Sequence, residues 1–100
     1  LRAAVAHDGP EDAFSAGVPN LVLEPTGPLA TPLEISRPHW GRIPRYFVEC
    51  TEDRAIPLEV QQAMHGAWPM ERVYRLESSH SPMLSKTAEL AATLTAIAAR

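Results

Sequence analysis

Cysteine occurs once in these 100 residues, at Cys50, so no disulfide framework can form and a reducing cytoplasm is the expected compartment. Cys50 lies inside an apolar run and reads as a buried, inert thiol. No apolar stretch approaches the ~18 residues that span a bilayer. The opening Leu1-Arg2-Ala3-Ala4-Val5 is too short in its apolar run for a signal peptide. Nine Lys and Arg stand against twelve Asp and Glu, a net charge of −3, which leaves no basic face for nucleic acid or anionic lipid. The few aromatic residues form no interleaved series with Lys or Arg. Neither nucleic acid nor membrane is therefore expected as a partner. Beyond His80, the histidines His7, His39 and His65 lie in separate segments without metal-ligand spacing, so no metal site is expected. His65 reads as a helix-end residue and His39, beside Trp40, as packing. No Gly-x-Ser-x-Gly occurs, and Ser78, Ser79 and Ser81 sit too close to His80 to form a strained nucleophile turn. The chain also begins without methionine, as expected where the start of a longer chain is missing or where the chain has been processed.

Proline is the residue in excess, ten in all, with Pro19, Pro25, Pro28, Pro32, Pro38 and Pro44 close together. Repeated loss of backbone donors predicts an extended, irregular connector over residues 21–42. Leu21, Val22, Leu23, Leu29, Leu33 and Ile35 would anchor it as an ordered strap over a core. Before it, in residues 1–20, Asp8-Gly9-Pro10-Glu11 resembles a capping box that opens a short helix closed by Gly17.

Residues 43–100 follow a different pattern. Tyr46–Cys50 reads as a strand covered on both faces, and Val73–Leu76 as a second. Between them Pro57 suits the first position of a helix, with Leu58, Val60, Met64 and Ala67 as partial apolar spacing. A last helix, about 86–99, has Ser85 as N-cap and Leu90, Leu94 and Ile97 along one face. The order is βαβα, which predicts an α/β fold with parallel strands. Two strands and two helices cannot cover such a sheet, so the fold is expected to be incomplete on its own.

Asp53 follows the first predicted strand and His80 the second. A crossover of this kind returns both to the carboxyl edge of a parallel sheet, where ligands bind and catalytic groups gather. There a carboxylate can accept the imidazole Nδ1 proton and leave the other nitrogen as a general base. Asp53 as a turn residue and His80 as a loop histidine would fit the same spacing.

Arg45-Tyr46-Phe47-Val48-Glu49-Cys50-Thr51-Glu52-Asp53-Arg54-Ala55-Ile56-Pro57, with Gln61-Gln62 and Met64, resembles the acid-bearing segment of α/β-hydrolases. Ser79-His80-Ser81-Pro82-Met83-Leu84-Ser85 is similar to the histidine loop of the same superfamily, in its branch of methyl esterases, hydroxynitrile lyases and bacterial esterase relatives. Leu23-Glu24-Pro25 through Thr31-Pro32-Leu33 resembles that branch's connector from cap to core. The resemblance implies that 1–20 ends a cap, 21–42 joins it to the core, and 43–100 forms the C-terminal βαβα part of the core. It further implies Asp53 as triad acid, His80 as general base, Met83 and Leu84 as substrate neighbours, a small-molecule ester as substrate and no cofactor. The nucleophilic serine and oxyanion hole would belong to the N-terminal part of the core, which the chain would need as a partner. Alone, the chain is expected to be inactive. Hydroxynitrile lyases of this branch carry lysine after the histidine; Ser81 stands there, and an uncharged hydroxyl cannot hold cyanide's developing charge. A receptor-like, non-catalytic member would retain the same residues.

Overall fold

The computed structural model describes all 100 residues. Helix α1 (Arg2–Val5) and helix α2 (Glu11–Gly17) are followed directly by a 3₁₀ turn at Val18–Asn20. Pro10, not Asp8, is the residue that caps α2, and no side chain caps it. The expected capping box is therefore absent, because the Asp8 carboxylate is engaged elsewhere. Nor does Gly17 close α2 in a left-handed conformation; at φ −79° it passes the chain straight into the 3₁₀ turn.

The proline-rich segment is not wholly extended. It contains helix α3 (Thr26–Ala30), since Pro28 falls inside its first turn, where no intrahelical donor is lost. Its supposed anchors do not bury: Leu23 is fully exposed, and Val22, Leu33 and Leu29 are nearly so. Within this chain the segment covers no core. It is fastened at its far end instead. The Arg45 guanidinium lies 4.3 Å from the Trp40 ring centre and 5.6 Å from Trp68, Arg37 lies 5.3 Å from Trp68, and the two indoles meet edge-to-face at 4.8 Å. Aromatic and cationic side chains thus do interleave, contrary to the sequence reading, but as a local clasp that joins residues 37–45 to the turn at Trp68-Pro69.

Strand β1 (Tyr46–Cys50) and strand β2 (Arg72–Leu76) are parallel and in register from Tyr46↔Arg72 to Cys50↔Leu76. Helix α4 (Leu58–Gly66) makes the crossover and packs on β1. Pro57 caps it as the residue before the helix; its fixed φ of −53° starts the first turn from outside. After β2 come helix α5 (Pro82–Ser85) and helix α6 (Thr87–Ala98), the latter packed on β2. Lys86 precedes α6 without a side-chain cap, and Ser85 is not its N-cap, because the Ser85 hydroxyl turns to Asp8.

The buried set is small. Nine residues of 100 are buried, and the apolar side chains among them are those of Ala6, Cys50, Leu76 and Pro82. Large apolar side chains such as Met64, Met83 and Leu94 stand about half exposed around a sheet of two strands, each with one unpaired edge. The βαβα unit is formed, but its faces are largely uncovered, as the sequence pattern predicts for an incomplete sheet.

Candidate active site

The two loops at the carboxyl ends of the strands are joined through their backbones. Thr51 N–H donates to Leu76 O at 3.0 Å and Glu52 N–H to Ser78 O at 3.0 Å, which extends the strand pairing into the loops. This brings together two residues 27 positions apart: His80 Nδ1 lies 2.8 Å from Asp53 Oδ2. The remaining carboxylate oxygen, Asp53 Oδ1, accepts the Ala55 and Ile56 N–H groups at 2.8 and 2.9 Å. Asp53 is thereby locked in a turn that leads into α4. Its side chain is 4% exposed, whereas that of His80 is 41% exposed.

Burial pushes the Asp53 carboxyl up, but hydrogen bonds from the Ile56 N–H, His80 and the Ala55 N–H outweigh it and hold the group below its ordinary value. An ionised carboxylate only accepts, so the proton of the 2.8 Å bond sits on His80 Nδ1. In the neutral imidazole Nε2 is then the nitrogen with the free lone pair, and it has no hydrogen-bond partner in the chain. Both residues line a cleft of about 310 Å³ with Phe47, Val48, Cys50, Met64, Met83 and Leu90. Leu84 lies apart from Met83, in a second cleft of about 350 Å³ with Phe14, Val18, Leu21 and Ser81. Ser78 and Ser79 are fully buried; the Ser78 hydroxyl donates to Ser79 O within the loop, whereas the Ser79 hydroxyl donates to Val5 O of α1.

Two further polar residues shape the site, and sequence reasoning gave them no role. Gln61 is buried and uses its side-chain amide like a neighbouring strand. Its Oε1 accepts Cys50 N–H at 2.9 Å, and its Nε2 donates to Cys50 O at 2.9 Å and Ile56 O at 2.8 Å. This closes the unpaired edge of β1 at its last residue and ties α4 to the loop that bears Asp53. The available clue was a glutamine between Leu58 and Met64 at helical spacing. Glu49 is only 3% exposed, inside β1. Its Oε1 meets His65 Nε2 at 2.9 Å, while its Oε2 accepts Arg75 Nε at 2.8 Å and Nη2 at 2.7 Å. His65 thus does more than end a helix: it bridges α4 to β1 and lies 5.0 Å from the Phe47 ring.

The hydrogen bond from His65, with the bond and charge of Arg75, holds the Glu49 carboxyl below its ordinary value against the opposing effect of burial. Depressed carboxylates such as Glu49 and Asp53 stabilise the folded chain above their unfolded values, 4.5 and 3.8, and lose that contribution as pH falls through the folded ones. The urea midpoint is therefore expected to fall steeply from about pH 5 to about pH 3, and Glu49→Gln to flatten part of that limb. A midpoint that stays level over this range would contradict the role given to these carboxylates.

Comparison with family models finds no match. Among curated proteins the chain is similar to putative methylesterase 11 of Arabidopsis thaliana, 40% identical over 63 residues, which is 62% of this chain and 16% of that protein. It is 35% identical over 74 residues to methylesterase 7 of the same plant, covering 73% of this chain and 28% of the relative. Among solved structures, polyneuridine aldehyde esterase superposes over 97% of this chain and 39% of its own, with a TM-score of 0.83 at 20% identity. The chain belongs to the α/β-hydrolase superfamily. A pyrethroid hydrolase of Sphingobium faniae, 27% identical, aligns over 98% of this chain and 39% of its own with a TM-score of 0.71. The chain spans well under half the length of each of these relatives. Its parallel βαβα unit is the C-terminal portion of the α/β-hydrolase fold.

Proposed function

We propose that this α/β-hydrolase chain supplies the acid and the general base of a serine-type carboxylic ester hydrolase to a nucleophile held on residues outside this sequence. The observation that carries the proposal is the bond from His80 Nδ1–H to Asp53 Oδ2 at 2.8 Å, with the second carboxylate oxygen already occupied by backbone N–H groups. Asp53 can turn neither away from the imidazole nor toward solvent. His80 is thereby kept in the tautomer whose Nε2 lone pair faces outward as a base.

In this reading Nε2 takes the proton of the serine hydroxyl as its oxygen attacks the ester carbonyl. Asp53 stabilises the imidazolium that forms. His80 then gives the proton to the departing alkoxide, which leaves as the alcohol, and an acyl-enzyme remains. In the second half His80 takes a proton from water, the hydroxide adds to the acyl carbon, and the proton returns to serine. Every step is an acyl or proton transfer. Relatives named as methylesterases support an ester as the substrate class. The apolar cleft beside Asp53 and the free edge of β1 support a further core element, covering this side of the sheet, as the carrier of the serine.

The test combines the chain with an α/β-hydrolase core that holds a nucleophile turn and oxyanion hole but not its own acid and histidine segments. Hydrolysis of 4-nitrophenyl acetate is expected from the combination and not from the chain alone. Turnover by the purified chain that a serine-directed fluorophosphonate abolishes would overturn the placement of the nucleophile elsewhere. A folded combination without turnover would overturn the reading as a whole.

A further inference from the structure

The Asp8 carboxylate, in the connection between α1 and α2, does not serve its own helix. Asp8 Oδ2 accepts the Ser79 N–H at 2.8 Å and the Ser85 hydroxyl at 2.8 Å, bonds that span 71 and 77 positions of sequence. Ser79 immediately precedes His80, and Ser85 ends α5, the helix that follows it. One oxygen therefore grips the backbone before His80 and the helix after it. Ser79 passes the constraint on: its hydroxyl donates to Val5 O and accepts the Ser81 N–H, both at 3.3 Å. The neighbouring residue acts on the other loop, where His7 Nε2 lies 2.8 Å from Glu52 O, one residue before Asp53. Gly9 lets the segment come this close, since a Cβ there would lie 3.2 Å from Leu84 Cβ.

The opposite oxygen, Asp8 Oδ1, is buried without a partner. Burial pushes the carboxyl up, and the bonds from Ser79 and Ser85 outweigh it and keep the group below its ordinary value. Both bonds are thus charge-assisted, which makes them shorter and stiffer than neutral ones.

We propose that Asp8 is the positioning residue of the Asp53–His80 pair: by holding Ser79 and Ser85 it sets the direction in which the imidazole meets Asp53. The proposal rests on the reading of that pair as acid and base, and it adds a third residue that touches neither reacting atom.

The test reads the pair without turnover. In this chain the His80 Nδ1 proton, hydrogen-bonded to Asp53, should give a far-downfield imidazole N–H resonance in proton NMR, assigned by its loss in His80→Gln. Asp8→Ala is expected to broaden or erase it while the amide signals of β1 and α4 stay in place. Asp8→Asn keeps an oxygen that can accept both bonds, and it is expected to retain most of the signal. Ser85→Ala removes one bond and should weaken the signal partly. An unchanged His80 resonance in folded Asp8→Ala would overturn the proposal, even if thermal stability fell. Should Asp8→Ala not fold, an unchanged resonance in Ser85→Ala does the same. Failure of ester hydrolysis in the combined enzyme would sink the functional reading and leave this resonance as it was. Its absence from the unsubstituted chain would sink both.

Discussion

Replacing His80 with alanine is expected to lower kcat for 4-nitrophenyl acetate by roughly 10³- to 10⁴-fold in the combined enzyme, with KM little changed. The imidazole is the group in the cleft that can take the serine proton at neutral pH, because Asp53 is ionised and has both oxygens occupied. Asp53→Asn should cost a similar factor by a different route. An amide NH₂ in place of Oδ2 would make Nδ1 the acceptor and move the imidazole proton to Nε2, where it blocks the base. As the two residues act as one unit, the double substitution should be hardly worse than either single one. A His80→Ala enzyme within about tenfold of the parent, with a functioning nucleophile present, would remove His80 from the chemistry.

The largest expected effect on stability is at Gln61. Gln61→Leu keeps the size of the side chain and removes its three bonds, leaving Cys50 N–H and Ile56 O without a partner and Cys50 O with the Asp53 N–H alone, at 3.3 Å. These groups lie under α4, where water does not readily replace the amide, so the loss should be about 2–4 kcal/mol. It should appear as a lower urea midpoint at unchanged m-value. Because Gln61 also holds the loop that carries Asp53, hydrogen exchange at Ala55 and Ile56 should accelerate along with global unfolding. A change below about 0.5 kcal/mol would mean that the open edge of β1 hydrates freely and the amide is dispensable.

Much of the core unit was legible in the residues themselves. Tyr46–Cys50 is a strand as read, β2 begins at Arg72, one residue before the predicted start, and α6 runs over 87–98 within the predicted span. Short β-rich runs and a longer alanine-rich amphipathic segment each favour one local conformation, and the βαβα order then allows only parallel pairing. The same order led to the juxtaposition of Asp53 and His80, because a crossover must return the chain to the same edge.

Local reading failed where a side chain found a distant partner. Asp8 matched a capping pattern, and Ser85 an N-cap, yet they bond to each other across the fold. Glu49 lies at a strand position that would ordinarily be apolar, and only the arrival of His65 and Arg75 from two other elements makes its burial tolerable. The apolar residues of the proline-rich segment misled in the opposite sense. Hydrophobicity marks what could be buried, and nothing within these 100 residues covers Leu23 or Val22.

By itself, then, the sequence determined the element order, the parallel pairing and the edge at which an acid and a histidine emerge. Each follows from local conformational preference and the handed geometry of a crossover. The tertiary structure decided which oxygen of Asp53 faces the imidazole, that Gln61 completes the edge of β1, and that Asp8 reaches the histidine loop from across the chain. Those outcomes depend on hydrogen bonds between residues far apart in sequence, whose geometry no local pattern encodes.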